Sequence, residues 1–394
     1  MLSGINPHFF SERTYGMIYL DNAATTSPKP RSVMQAVSEA MRTHTANPGR
    51  SGHSMSLASA ELVYDARVKV ADFFGCPKPE HVVFTSGCTM SANMVLKGIL
   101  RPGDHFIISS LEHNAVSRPA NTLMKSGVKM SVARIVPGDD AATLNNFKAV
   151  IRPNTRLIMT THASNVFGVI VPIALIGRLC RERGILLGVD AAQTAGILPI
   201  SCERMGIDFL CVAAHKGLYA PMGCGILICG EHPLAPFIEG GTGTQSLEQE
   251  QPAELPERLE SGTLNVPGIA GIAAGIDFIK SQGIERIYRH EMELMHRLYT
   301  ELKRMPIKLY TGGGVQSVPV LSFNVSGMDS FSAASLLDSK GIAVRSGLQC
   351  APMAHRQFGT LPNGTIRVCP SVFTSPRDID MLLQALKNII NGKF

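Results

Sequence analysis

The chain has no tryptophan, and phenylalanine and tyrosine bring the aromatic share to only 6%. Charged residues are also sparse, at 17%. They are scattered, with no run of five or six like charges. The mildly basic balance, a formal +6, therefore does not mark a nucleic-acid-binding surface. Long apolar runs are missing too. The segments 268–279 and 184–189 are short or broken by glycine and polar residues, which argues against a membrane-spanning helix. The opening MLSGINPHFFSERTYG has neither the basic nor the apolar stretch of a signal peptide. No CxxC and no HExxH occurs, so no metal is assigned. The nine cysteines are an odd number without a short-spaced disulfide framework, which fits a reduced, cytoplasmic compartment.

What is present suits a large core. Apolar residues make up 45% of 394, enough for one large domain or two ordinary ones. The runs 81–85 (HVVFT), 105–109 (HFIIS), 156–160 (RLIMT), 185–189 (ILLGV), 208–213 (DFLCVA) and 225–229 (GILIC) read as strands. Their near-continuous apolar character suits a parallel sheet covered on both faces. Helical spacing fills the gaps between them, as in 57–74 and 172–183, so the class is α/β. After about residue 282 the pattern changes. Helix 286–304, strand 317–325, helix 330–340 and helix 376–391 read as a smaller α+β domain.

Three segments could carry chemistry. Ser86-Gly87-Cys88-Thr89 follows a strand and opens a helix. Its backbone N–H groups and the helix dipole suit a phosphate, although an ordinary βα turn has the same look. No Walker motif or dinucleotide fingerprint accompanies it. Asp190 ends an apolar strand, where it is either a helix cap or the partner of a protonated ring nitrogen. His215-Lys216 leaves another strand into GLYAPMGCG. A lysine delivered by a buried strand is desolvated, and a desolvated lysine forms Schiff bases. Phosphate cup, ring-nitrogen acid and Schiff-base lysine together are the fixtures of a pyridoxal phosphate site.

These segments, with YLDNAATT (19–26), SLEHNA (110–115), ASNVFG (163–168), GVDAAQ (188–193), RLESGTLN (258–265) and RSGLQCAP (345–352), resemble the cysteine desulfurase branch of the class V aminotransferases. The likeness runs from Ile18 to near the C-terminus. It implies a fold type I architecture: a large domain over 17–281 with a mostly parallel seven-stranded sheet, and a small α+β domain of 1–16 plus 282–394. It also implies the cofactor pyridoxal 5'-phosphate. By resemblance, Lys216 carries the cofactor, Asp190 pairs with its ring nitrogen, Gln193 reaches the ring hydroxyl and His113 stacks on the ring. Cys88, Thr89 and His215 hold the phosphate. Asn165 and Arg367 bind the substrate carboxylate, and Cys350 takes sulfur from L-cysteine as a persulfide. Read without the resemblance, His113 is a loop or cap residue, Arg367 an edge-strand residue and Cys350 a small core residue.

The family further implies a homodimer, in which Ser261-Gly262-Thr263 of one protomer serves the phosphate of the other, and a sulfur-acceptor protein. Ala213 departs from the pattern, since many relatives have a phosphate-binding serine two positions before His215. The loop 351–363 is short, as in the compact-loop branch, which overlaps with selenocysteine lyases. Selenocysteine lysis or transamination is the alternative activity.

Overall fold

The computed structural model describes residues 16–49, 52–311 and 315–392. The N-terminal segment 1–15, read above as lacking a signal peptide and as part of the small domain, lies outside the described residues. Two compact units emerge. Of the described residues, those within 16–28, 163–170 and 282–392 form one, and those within 29–162 and 171–281 form the other. The first contains β1 (Ile18–Tyr19) and the elements after residue 282.

The second unit is built on a seven-stranded sheet. In chain order its elements are α1 (Arg31–Thr43), α2 (Ser54–Phe74), β2 (Val82–Thr85), α3 (Cys88–Ile99), β3 (His105–Ser109), α4 (Asn114–Lys125), β4 (Lys129–Ala133), α5 (Asp140–Val150), β5 (Thr155–Thr161), α6 (Ile173–Arg183), β6 (Leu186–Asp190), α7 (Cys202–Met205), β7 (Phe209–Ala213), β8 (Gly225–Cys229) and α8 (Val266–Gln282). The strand order is β2-β8-β7-β6-β5-β3-β4. Only β8 runs antiparallel to its neighbours. The central strands are buried along their whole length, because helices connect parallel strands and cover both faces. Each of the six apolar runs forms a strand, with bounds shifted by one residue at most. The seventh, β4, escapes the reading because it is an edge strand whose Lys129 and Val132 are exposed, so it has no apolar run to recognise.

Parallel pairing puts Ser109, Thr161, Asp190 and Ala213, the last residues of β3, β5, β6 and β7, at one edge of this sheet. In open α/β sheets that carboxyl edge is where ligands sit.

The first unit adds α9 (Ile284–Leu302), β9 (Ile307–Leu309), β10 (Leu321–Val325), α10 (Ser330–Asp338), β11 (Ile342–Ala343), α11 (Pro352–Gln357), β12 (Ile366–Val368) and α12 (Pro376–Ile390). Its sheet is antiparallel in the order β12-β10-β9, and β1 pairs in parallel with β11. Leu294, Leu298 and Leu302, four apart on α9, pack with Phe323, Leu337, Leu382 and Leu386 into one core. A capping box of Ser375 and Asp378 with Pro376 in the first turn starts α12. The strand expected over 317–325 begins only at Leu321. The N–H of Val318 goes to the Gly168 carbonyl and that of Val320 to the Val318 carbonyl, which bends the chain before the ladder starts. Among the described residues, no helix is long and apolar enough to cross a membrane.

Candidate active site

Two constellations of chemically capable residues are present, one in each unit. The constellation on the sheet edge begins at the turn after β2. Gly87 caps α3 with no side-chain hydrogen bond, so the first-turn N–H groups of this twelve-residue helix have no competing side chain. The turn lies directly on β8. A Cβ on Gly225 would come within 2.4 Å of the Gly87 Cα, so only glycine allows this approach. Thr89 is exposed beside it, and Cys88 is buried. The Cys88 thiol donates to Asp190 Oδ1 at 3.2 Å, joining the phosphate-type turn to the acid at the end of β6. Burial, then the Asp190 charge, pushes the Cys88 thiol well up, so it stays a protonated donor. Asp190 is 4% exposed and also accepts from the Ala192 N–H at 2.9 Å, an Asx-type bond at a strand end. That bond fits the cap-like reading of this residue.

Gln193, three residues after Asp190, is half-buried. Lys216 stands three residues after the end of β7, in a turn fixed by Lys216 N–H to Ala213 carbonyl and Tyr219 N–H to Lys216 carbonyl bonds. Next to it, burial first and then the charges of Lys216 and Lys29 hold the His215 imidazole down at about 4, so it is neutral. The Lys29 ammonium donates to the His215 carbonyl at 2.7 Å, and burial lowers this lysine to about 8. His113 caps α4, its Nδ1 accepting from the Ala115 N–H at 3.0 Å, as its residue type alone suggests.

Glu112, which the sequence reading quoted without a role, is fully buried beneath this edge. Its Oε1 accepts from Ser109 N–H (3.2 Å), from the Ser109 hydroxyl and from Thr161 N–H (2.9 Å), which ties the ends of β3 and β5 together. Its Oε2 has no hydrogen-bond partner among the described residues. Burial pushes the carboxyl from 4.5 up to about 8. The folded state therefore holds a proton that the unfolded chain releases above 4.5. Stability is greatest below that value and declines until the folded group ionises near 8, by up to about 1.4 kcal/mol per pH unit. Glu291 on α9, raised to about 8 by burial, acts in the same direction. Glu112→Gln keeps an acceptor oxygen without the proton. Denaturant midpoints should show the variant gaining about 1–3 kcal/mol on the wild type between pH 5.5 and pH 8. Parallel pH curves would remove the buried proton from this account.

A buried ion pair sets the segment that follows. Arg67 on α2 bonds both oxygens of Glu260, and Glu260 Oε1 accepts from the Phe84 N–H at 2.5 Å. Removing one partner of such a pair strands the other charge, at a cost of about 3–5 kcal/mol. This anchor immediately precedes Ser261-Gly262-Thr263, where Thr263 is exposed and accepts from Asn47 Nδ2 at 3.2 Å.

The constellation in the other unit centres on Arg367. It sits on edge strand β12 and is nevertheless 1% exposed, which corrects its reading as an ordinary edge residue. Nη1 donates to the Asn165 carbonyl at 2.9 Å and Nη2 to Asp21 Oδ1 at 2.5 Å. Arg367 Nε and Asn165 Oδ1 are buried with no hydrogen-bond partner among the described residues. An unmet buried guanidinium donor is costly, and a carboxylate ligand would satisfy it. Asp21, 346 positions away in sequence, gave no sign of this pairing.

Cys350 is the one exposed cysteine of the nine, so the bland alternative of a small core residue does not describe it. Burial is the leading cause that pushes the other eight thiols up. Arg345 Nη2 lies 3.9 Å from its Sγ.

The sheet-edge donor set fits the cofactor that the sequence implies. An uncapped helix start, a buried carboxylate and a lysine beyond a strand end match a phosphate, a basic ring nitrogen and an aldehyde respectively. Among the described residues, no group of three or more His, Cys, Asp or Glu side chains could hold a metal ion.

Comparison with known proteins agrees with this chemistry. The family model for aminotransferase class-V matches residues 18–382, and the chain belongs to that family. Within it, the chain is 32% identical over 384 residues to a probable cysteine desulfurase of Methanothermobacter thermautotrophicus, covering 94% of each. It is 32% identical to a cysteine desulfurase of Salmonella agona, covering 95% of this chain and 93% of the relative. An apo cysteine desulfurase structure from Thermococcus onnurineus superposes over the full length of both chains, with TM-score 0.91 and 32% identity.

Proposed function

We propose that the chain is a cysteine desulfurase that converts L-cysteine to L-alanine and keeps the sulfur on Cys350, with pyridoxal 5'-phosphate as its cofactor. The observation that carries this reading is the exposure of Cys350 alone among nine cysteines, beside Arg345. A transaminase has no use for an exposed thiol so placed.

When bound, pyridoxal phosphate supplies the electron sink that makes the Cα proton and the Cβ–S bond of the amino acid labile. In this proposal Cys88 and Thr89 at the α3 start, with His215, hold its phosphate. Asp190 would pair with the ring nitrogen, Gln193 with the ring hydroxyl, and His113 would serve the ring face. Lys216 would be the residue that holds it covalently and would move the Cα proton of the substrate. Arg367 and Asn165 receive the substrate carboxylate, with Arg367 Nε as the open donor. The Cys350 thiolate attacks the substrate sulfur. The new S–S bond forms as the C–S bond breaks, and the electron pair stays on the carbon fragment, which takes up a proton to give alanine. The enzyme thiol becomes a persulfide, so sulfur is oxidised as the substrate Cβ is reduced and no outside oxidant is needed. A sulfur-acceptor protein or a small thiol then discharges it. Ala213 offers no hydroxyl, so Thr263 of a partner protomer makes that contact in a homodimer.

The test is the purified protein, loaded with pyridoxal phosphate, given L-cysteine and a reducing thiol. Alanine and sulfide in equal amounts are expected. A keto acid without sulfide would replace this reading with transamination, and turnover of L-selenocysteine alone would replace it with selenocysteine lysis.

A further inference from the structure

Cys350 and the residue before it, Gln349, both have positive φ, at 58° and 40°. Neither is glycine, and two consecutive left-handed residues with side chains persist only where their surroundings hold them. The surroundings here are specific. Gln349 is 3% exposed, although it lies in a loop beside an exposed cysteine. Its Nε2 donates to the Thr365 carbonyl at 2.8 Å. Its Oε1 lies 2.9 Å from His355 Nε2. His355 is buried in turn, and its Nδ1 is 2.7 Å from the Thr360 hydroxyl. Burial holds that imidazole down at about 4, so it is neutral and its Nε2–H is available for the amide oxygen. The Gln349 backbone is held as well, its carbonyl accepting from Asn165 Nδ2 at 2.8 Å. Both ends of the side chain and the carbonyl are thus engaged. In this arrangement the Cys350 thiol is exposed, 3.9 Å from Arg345 Nη2.

We propose that Gln349 is the positioning residue for the Cys350 thiol: its buried amide, gripped by Thr365 and His355, holds the left-handed pair that presents the thiol. The proposal rests on the reading of Cys350 as the sulfur acceptor. It also gives the Asn165 amide a second duty, since the group expected to meet the substrate carboxylate already holds the loop that carries the nucleophile. The sequence could not disclose this, because a glutamine in a Gly- and Pro-containing loop reads as solvent-facing.

The experiment uses the loaded enzyme, as wild type, Gln349→Ala and Gln349→Met. The methionine fills the same space without the hydrogen bonds, so it decides the matter if the alanine variant fails to fold. Three quantities are read: the rate of alkylation at Cys350, located by peptide mass; the midpoint of the cofactor absorbance change on adding L-alanine; and the single-turnover yield of alanine from L-cysteine. Alkylation is expected to slow at least about fivefold and sulfur transfer about 10- to 100-fold, while the alanine midpoint stays within about threefold. A residue that merely supports the fold would lower cofactor loading and move all three together, and that result overturns the proposal. So does sulfur transfer within twofold of wild type in a folded Gln349→Met. Failure of the underlying reading looks different: wild type with Cys350 already alkylated would still transfer sulfur at full rate.

Discussion

Lys216→Ala is expected to yield a folded protein that binds pyridoxal phosphate reversibly, has no borohydride-fixed cofactor and loses at least about 10³-fold in alanine formation. The fold should survive because the turn is held by backbone bonds, from Lys216 N–H to the Ala213 carbonyl and from Tyr219 N–H to the Lys216 carbonyl, which an alanine keeps. The rate loss follows from removing both the attachment point and the group that moves the Cα proton, since a positioned general base alone contributes about 10²–10⁴. One rival amine exists. Lys29 is lowered to about 8 by burial and reaches the His215 carbonyl at 2.7 Å, so it is a partly neutral amine one residue from Lys216. The measurement is therefore borohydride reduction followed by peptide mapping of wild type, Lys216→Ala and Lys29→Ala. A cofactor fixed in Lys216→Ala and lost in Lys29→Ala would hand the role to Lys29.

That rivalry shows where sequence reasoning stops. Apolar runs identify the strands, with Asp190 at the end of β6 and Lys216 three residues beyond β7, because burial of a strand is written in its own residues. Pairings between distant segments leave no such local trace. Asp21 and Arg367 are 346 residues apart, and Arg67 and Glu260 are 193 apart. Each of these charges, read singly, belongs on a surface. Glu112 is the same case in miniature. Its neighbours in SLEHNA suggest a polar loop, and only the convergence of β3 and β5 makes it a buried clasp. Edge strand β4 was missed for the opposite reason, since its solvent-facing residues dilute the apolar signal. His113 was legible from its residue type alone, which fits a helix cap, and it does cap α4.

Cys350→Ala is expected to bind pyridoxal phosphate normally, to respond spectroscopically to L-cysteine, and to form alanine from it at least about 10²-fold more slowly. Cofactor binding should persist because the proposed cofactor residues and Cys350 belong to different units. The substitution should not disturb the loop. Cys350 already holds φ 58° with a Cβ, so alanine introduces no strain that the wild type lacks, and the side chain it removes is exposed. No other thiol should substitute. Seven of the remaining eight are buried, the eighth, Cys76, is half-buried, and all eight are pushed up, so none offers an accessible thiolate. The measurement pairs the absorbance change with alanine yield and with the mass of peptides carrying an extra sulfur atom. Wild type should show that mass on the Cys350 peptide alone. Full turnover in Cys350→Ala, or the extra sulfur on any other cysteine, would move the acceptor elsewhere. L-Selenocysteine separates the remaining cases, because selenium leaves carbon more readily than sulfur and needs less help from a thiolate. If Cys350→Ala keeps its selenocysteine turnover while losing cysteine turnover, the thiol acts only on sulfur; if both fall together, Cys350 is needed before the carbon–chalcogen bond breaks, and its role is wider than sulfur acceptance.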